Sequence, residues 1–298
     1  VCVTCVGGVA DVISSRSLFG TTVGFINNII TKFGIEVSHV SPTDMDEWKA
    51  AVKANTKLLF LETPSNPLGE VADLEALAEL AHSIGALLVV DNSLLSPVGS
   101  QPLKHGADIS VSSATKAIDG HGRVMGGVLA GSEELMTQVA MYCNSCGLAM
   151  SPFNAWQLLS GVETLSLRLE KQFDNALKIA QWLRTQPPVQ AVYYTGLSDH
   201  PQAELIRKQQ NGGGIVIGFE VADQEAAWKV VDSVELFSRT ANLGDVRSTI
   251  THPWTTTHGR MQPEEKLAAN IRPGLVRLSV GLEYVDDLID DLKQALAR

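Results

Sequence analysis

The 298-residue sequence is poor in cysteine, short of positive charge and without a long apolar run, and each scarcity excludes something. A membrane span needs about 18 consecutive apolar residues, and none occurs. No basic segment leads into an apolar stretch at the start, so no secretory leader is legible. Lys and Arg number 23 against 33 Asp and Glu, a formal net charge of −10. Nucleic acids and anionic membranes reward positive charge, so neither is an expected partner. Internal repeats and low-complexity tracts are absent. The first residue is Val rather than Met, from which a fragment or a processed product is expected.

The four cysteines fall as two CxxC pairs, Cys2/Cys5 and Cys143/Cys146. Four thiolates in two such pairs can bind zinc. These pairs stand far beyond zinc-ribbon spacing, and the second follows a helix-like run. Free thiols in a reducing cytoplasm, with no metal, is the preferred reading. A zinc protein stays open as an alternative that metal analysis would decide.

What the chain does have is apolar material: 45% hydrophobic residues and 25 glycines, enough for one large or two medium domains. Leu58–Leu61, Ala86–Val90, Ile109–Val111 and Val128–Ala130 read as short strands. Between the first two, Leu74, Leu77, Ala78, Ala81 and Ile84 mark one face of a helix that Gly85 ends. Strands alternating with helices imply an α/β fold with a mostly parallel sheet covered on both faces. Residues 153–185 read as one long helix ended by Gln186-Pro187-Pro188. Beyond it the pattern changes: strands at 189–194, 214–219, 235–239 and 275–280, and helices at 225–234 and 285–297. The expected division is a large domain over 1–150, a long connecting helix over 151–187, and a smaller domain over 188–298.

Open parallel sheets carry chemistry at the carboxyl ends of their strands, where Asp91 and Ser113 sit. Ser113-Ala114-Thr115-Lys116 places a lysine beside two hydroxyls just past a strand. A partly desolvated lysine can form an imine with an aldehyde cofactor, and the hydroxyls can bond its phosphate. Alone, a loop lysine is usually a solvated charge and an aspartate after a strand a helix cap. Together they supply the two groups pyridoxal 5'-phosphate needs: a carboxylate on the pyridine nitrogen and a lysine on the aldehyde.

The segments LFLETPSNP, VVDNSLLSP, SSATKAIDGHGRVMGG and LVRLSVGLE, in this order, resemble the Cys/Met-metabolism family of pyridoxal-phosphate enzymes. The resemblance runs from about Ser14 to the C-terminus. It implies a type I (aspartate aminotransferase-like) large domain followed by a smaller α+β domain. It also implies that Lys116 is the Schiff-base lysine and proton shuttle, Asp91 the pyridine-nitrogen partner, and Ser113 and Thr115 phosphate ligands. Asn66 would lie near the cofactor's 3-oxygen and the substrate, and Arg277 would clamp the substrate carboxylate. Asn242, in Ala-Asn-Leu-Gly, matches a substrate-site position where the family often has Ser. Phe19 stands where the family usually has a Tyr stacked on the cofactor ring; Phe can stack but cannot exchange a proton.

SRSLFGTT and THPWTTTHGR are most similar to the O-succinylhomoserine sulfhydrylases within that family. The implied activity is γ-replacement by sulfide on an O-acylhomoserine, giving homocysteine for methionine biosynthesis. A small amino acid and sulfide would be the reactants, in a cytoplasmic homo-oligomer (dimer or tetramer). Cystathionine γ-synthesis, γ-elimination by a lyase and a non-catalytic subunit remain alternatives. Family members carry a longer leading segment, with a Tyr-x-Arg lent to the neighbouring subunit's phosphate and a Ser-Gly-Met-Ala turn. Gly7-Gly8-Val9-Ala10 is either a remnant of that turn or a loop before a strand at Val12. Weak cofactor binding and impaired activity are therefore expected of these residues by themselves.

Overall fold

The computed structural model describes residues 10–298. The first sheet has six strands in the order β2-β1-β3-β4-β5-β6: β1 Asp11–Ser15, β2 Glu36–Val40, β3 Thr56–Glu62, β4 Leu87–Asp91, β5 Ile109–Ser113 and β6 Gly127–Gly131. All neighbouring pairs are parallel except β5 with β6. The runs of the central strands β3 and β4 read as apolar because both faces are buried there, whereas the edge strands β2 and β6 are largely exposed. Ile13, Leu59, Leu61, Leu88 and Val90 pack one way, with Trp48 and helix α3 Leu74–Ser83. Val12, Leu58, Phe60, Val89 and Ile109 pack the other, with Ile26 of helix α1 Gly20–Asn28 and Ile30. That alternation is the period-two pleat, so one residue of register slip would exchange the faces. Helix α2, Met45–Ala50, carries Trp48.

Helix α3 begins at Asp73, whose carboxylate accepts the Ala76 N–H at 3.1 Å. It ends before Gly85, which takes φ +67° as expected of a terminating glycine.

Helix α4, Glu133–Cys146, follows β6. The single helix expected over 153–185 is instead two, α5 Pro152–Glu163 and α6 Leu165–Leu183, parted at Thr164 with φ −115° and ψ 9°. The cause lies one turn on. The buried Arg168 guanidinium turns back, taking Nε to the Thr164 hydroxyl at 3.2 Å and donating to the Gly161 carbonyl at 2.7 Å. An acceptor that a continuous helix would keep for its own ladder is thus bonded from outside it.

The second sheet has five strands in the order β7-β8-β11-β10-β9: β7 Ala191–Tyr193, β8 Val216–Glu220, β9 Ser238–Arg239, β10 Thr249–Thr251 and β11 Leu275–Ser279. Ile217, Phe219, Val276 and Leu278 face Ile179 and Leu183 of α6 and Leu288 and Leu292 of the closing helix, Val285–Leu296. The strand expected over 235–239 shrinks to its last two residues. The N–H groups of Glu235, Leu236 and Phe237 donate to the Asp291 carboxylate at 2.8, 2.8 and 3.1 Å, so they are spent on a side chain instead of a ladder. Among the described residues no helix is long and apolar enough to cross a membrane. Cys143 and Cys146 are free thiols; Cys2, Cys5 and Gly7-Gly8-Val9 lie outside the described residues.

Candidate active site

Three adjacent strands bring their carboxyl ends together. Glu62 ends β3, Asp91 ends β4 opposite it in register, and Ser113 ends β5. Asp91 Oδ1 accepts the Ser93 N–H at 2.9 Å and the Ser93 hydroxyl at 2.6 Å. The Ser93 oxygen in turn accepts the Ser113 N–H at 2.7 Å, tying the β4 end to the β5 end. Burial raises the Asp91 pKa while the two Ser93 donors hold it back.

After β5 the chain makes one wide helical turn, 114–118, in which the Asp119 N–H reaches the Ala114 carbonyl at 2.9 Å. Lys116 sits inside it at φ −89° and ψ −128°, outside helical geometry. Its Nζ donates to Asn242 Oδ1 at 2.7 Å. Burial, and then the charge of Arg277, lower its pKa, which favours the neutral, nucleophilic amine. Arg168 braces the turn from behind, donating to the Ala117 carbonyl at 2.8 Å and the Ile118 carbonyl at 3.2 Å. Gly244, at φ +83°, lets the Asn242 loop come this close: a Cβ there would stand 2.8 Å from that of Lys116. The Thr115 hydroxyl is occupied by Gly126, accepting its N–H at 3.0 Å and reaching its carbonyl at 3.3 Å.

Arg277 lies in the middle of β11 and is 2% exposed. One terminal nitrogen reaches Asn66 Oδ1 at 3.4 Å; the other bonds the Ala241 carbonyl at 2.6 Å and the Asn242 carbonyl at 3.5 Å. Its Nε has no partner, and among the described residues no carboxylate pairs with it. Burial brings its pKa down to about 10, so it remains a cation at neutral pH. A buried guanidinium without an acid is costly, and its forked donors suit a carboxylate supplied from outside. His258, in the segment that follows β10, is held down to about 4 by burial and then by Arg277 and Lys266, and is neutral at pH 7.

Phe19 precedes α1. Its N–H donates to Glu62 Oε2 at 3.0 Å, and the residue is 54% exposed. The structure thus ties the expected site residues into two linked groups. Asp91 and Ser113 are joined through Ser93 at the strand ends, where the Phe19 backbone bonds Glu62, and Lys116, Asn242, Arg277 and Asn66 form a bonded chain; Thr115 bonds Gly126 alone among the described residues. Glu62, Ser93 and Arg168 were not expected. A cavity of about 580 Å³ lies elsewhere, lined by Leu68, Tyr193, His200 and Arg272 among others; it contains none of these groups, and chemistry rather than volume locates the site.

Comparison with known proteins decides the family. Residues 2–297 match the Cys/Met metabolism PLP-dependent enzyme family. The chain belongs to that family. It is 49% identical over 287 residues to the O-succinylhomoserine sulfhydrylase of Pseudomonas aeruginosa, covering 96% of this chain and 71% of that protein. It is 40% identical to an L-methionine gamma-lyase of Fusobacterium nucleatum subsp. polymorphum, covering 96% of this chain and 74% of that one. The crystal structure of cystathionine gamma-lyase from Lactobacillus plantarum, complexed with L-serine, superposes with a TM-score of 0.93 at 32% identity, over 97% of this chain and 76% of that one. The protein is accordingly a pyridoxal-phosphate-dependent enzyme of Cys/Met metabolism.

The residues present fit that cofactor. A lysine with a lowered pKa can meet its aldehyde. Asp91 Oδ2 has no protein donor among the described residues and can meet a protonated ring nitrogen. The Ser113 hydroxyl, likewise without a partner there, and Thr115, by giving up its long bond to Gly126, can meet a phosphate.

Proposed function

We propose that this chain carries the site of a sulfhydrylase that replaces the γ-succinyl group of O-succinylhomoserine with sulfide, releasing homocysteine and succinate. The supporting observation is the 49% identity to the Pseudomonas aeruginosa sulfhydrylase over nearly the whole chain. The 40% identity to methionine gamma-lyases supports γ-elimination as a second reading.

Bound pyridoxal phosphate supplies an electron sink for charge left at the substrate Cα. Lys116 would hold its aldehyde, and the lowered pKa of its amine suits it to take and return the substrate Cα proton. Asp91 would set a negative charge against the ring nitrogen. Ser113 and Thr115 would take the phosphate, and Phe19 would offer an aromatic face to the ring. Arg277 holds the substrate carboxylate, with Asn66 and Asn242 fixing the guanidinium and the lysine on either side of the reacting carbons. The γ-oxygen leaves with succinate, and sulfide adds at the same carbon.

We place this enzyme in the cytoplasm, in keeping with the free Cys143 and Cys146. We also propose assembly into a homo-oligomer, a dimer or tetramer, which would cover Phe153, Trp156, Leu159 and Val162, all exposed on α5. Product analysis tests the reaction. O-Succinylhomoserine with sulfide should give homocysteine and one equivalent of succinate. Formation of 2-oxobutyrate and ammonia without a nucleophile would favour elimination, and cystathionine from cysteine in preference to sulfide would favour the synthase.

A further inference from the structure

Directly opposite Asp91 in register, at the end of β3, lies a carboxyl for which the motifs suggest no role. Glu62 is 5% exposed. Its Oε2 accepts the Phe19 N–H at 3.0 Å. The groups that act on its charge are Asp91 and that N–H, with no cation among them. Burial, then the charge of Asp91, push the Glu62 carboxyl up to about 8, with the Phe19 N–H opposing. Asp91 has two donors from Ser93 where Glu62 has a single amide, so the negative charge of the pair settles on Asp91. Charges on the neighbouring segments are committed elsewhere: Arg16 pairs with Glu47, and Glu70 accepts from Ser17 and Ser65.

We infer that Glu62 is a positioning residue of the Asp91 end of the site, fastening the Phe19 backbone there and leaving Asp91 as the single fixed negative charge. This rests on the reading of Asp91 as partner of the cofactor's ring nitrogen. One carboxylate then faces one cationic ring, and the exposed Phe19 side chain springs from a backbone held by the neutral neighbour. The two functions separate chemically. Glutamine at this position can still accept the Phe19 N–H but cannot ionise; alanine can do neither.

The test uses the full chain, with and without added pyridoxal phosphate, as wild type, Glu62→Gln and Glu62→Ala. Infrared difference spectra should show a protonated carboxyl band at pH 7 in the cofactor-free wild type that is absent from Glu62→Gln. In the wild type it should fade as pH rises through about 8. Hydrogen exchange at the Phe19 amide should match in wild type and Glu62→Gln and be about tenfold faster in Glu62→Ala. No band difference at pH 7, or equal Phe19 exchange in all three proteins, would overturn the inference. Borohydride labelling of Lys116, run on the same samples, separates the two readings. Label missing from all three while Glu62 behaves as expected would bring down the cofactor reading. Label present with a charged Glu62 would bring down this inference alone.

Discussion

Asn242 joins the two basic residues of the site: its side-chain oxygen accepts from Lys116 Nζ at 2.7 Å, and its backbone carbonyl lies 3.5 Å from the Arg277 guanidinium. The lysine comes from the first sheet and the arginine from the second, so this loop sets the distance between the two sheets' functional groups. Asn242→Ala removes the amine's acceptor and leaves the carbonyl. A loss of about tenfold in kcat/KM is expected, with Asn242→Ser keeping part of it because a hydroxyl can still accept. Steady-state kinetics on both variants check this, and an unchanged Ala variant would remove Asn242 from the site.

Arg277 separates binding from stability. Its charge is buried with no acid beside it among the described residues, so relief of that charge should offset the lost bonds to the Ala241 and Asn242 carbonyls, and Arg277→Met should change stability little. Substrate affinity should fall by about a hundredfold, because the carboxylate loses its fork of donors. Thermal melting and KM together check the pair of outcomes; a large drop in Tm would show the arginine to be structural.

Arg168 acts on Lys116 from behind. It is buried and bonds the carbonyls of Ala117, Ile118 and Gly161. Arg168→Met leaves three buried acceptors without donors, and a loss of about 3 kcal/mol in denaturant unfolding is expected. A loss below about 0.5 kcal/mol would mean those carbonyls find water.

Glu62 should leave a signature in stability against pH. Its pKa is about 8 in the folded chain against an ordinary 4.5. The folded state therefore binds the extra proton, and stability from this group, full below pH 4.5, is lost as pH rises to about 8. Glu62→Gln should flatten that slope and be the more stable protein at pH 9, by a few kcal/mol at most. Parallel slopes for the two proteins would show Glu62 ionised throughout.

Much of the site was legible because its residues follow strands whose apolar runs announce burial on both faces. Asp91 and Lys116 each stand at such an end, within motifs that keep their order. Glu62 stands in one of the same motifs yet gave no signal, since a glutamate after a strand is ordinarily solvated. Its burial comes with its place on a central strand between β1 and β4, where the Phe19 N–H, more than forty residues earlier in sequence, bonds to it. The break at Thr164 and the shortened strand at Ser238 have the same origin. In each case a side chain distant in sequence or folded back, Arg168 or Asp291, took backbone groups that local periodicity assigns to a helix or strand.

The most direct measurement is chemical capture at Lys116. The full chain is incubated with pyridoxal phosphate, reduced with borohydride and mapped by mass spectrometry, beside Lys116→Ala. The expected result is one phosphopyridoxyl group, on Lys116, absent from the variant. Label spread over surface lysines, or equal in the two proteins, would contradict the placement of the cofactor between Asp91 and Lys116.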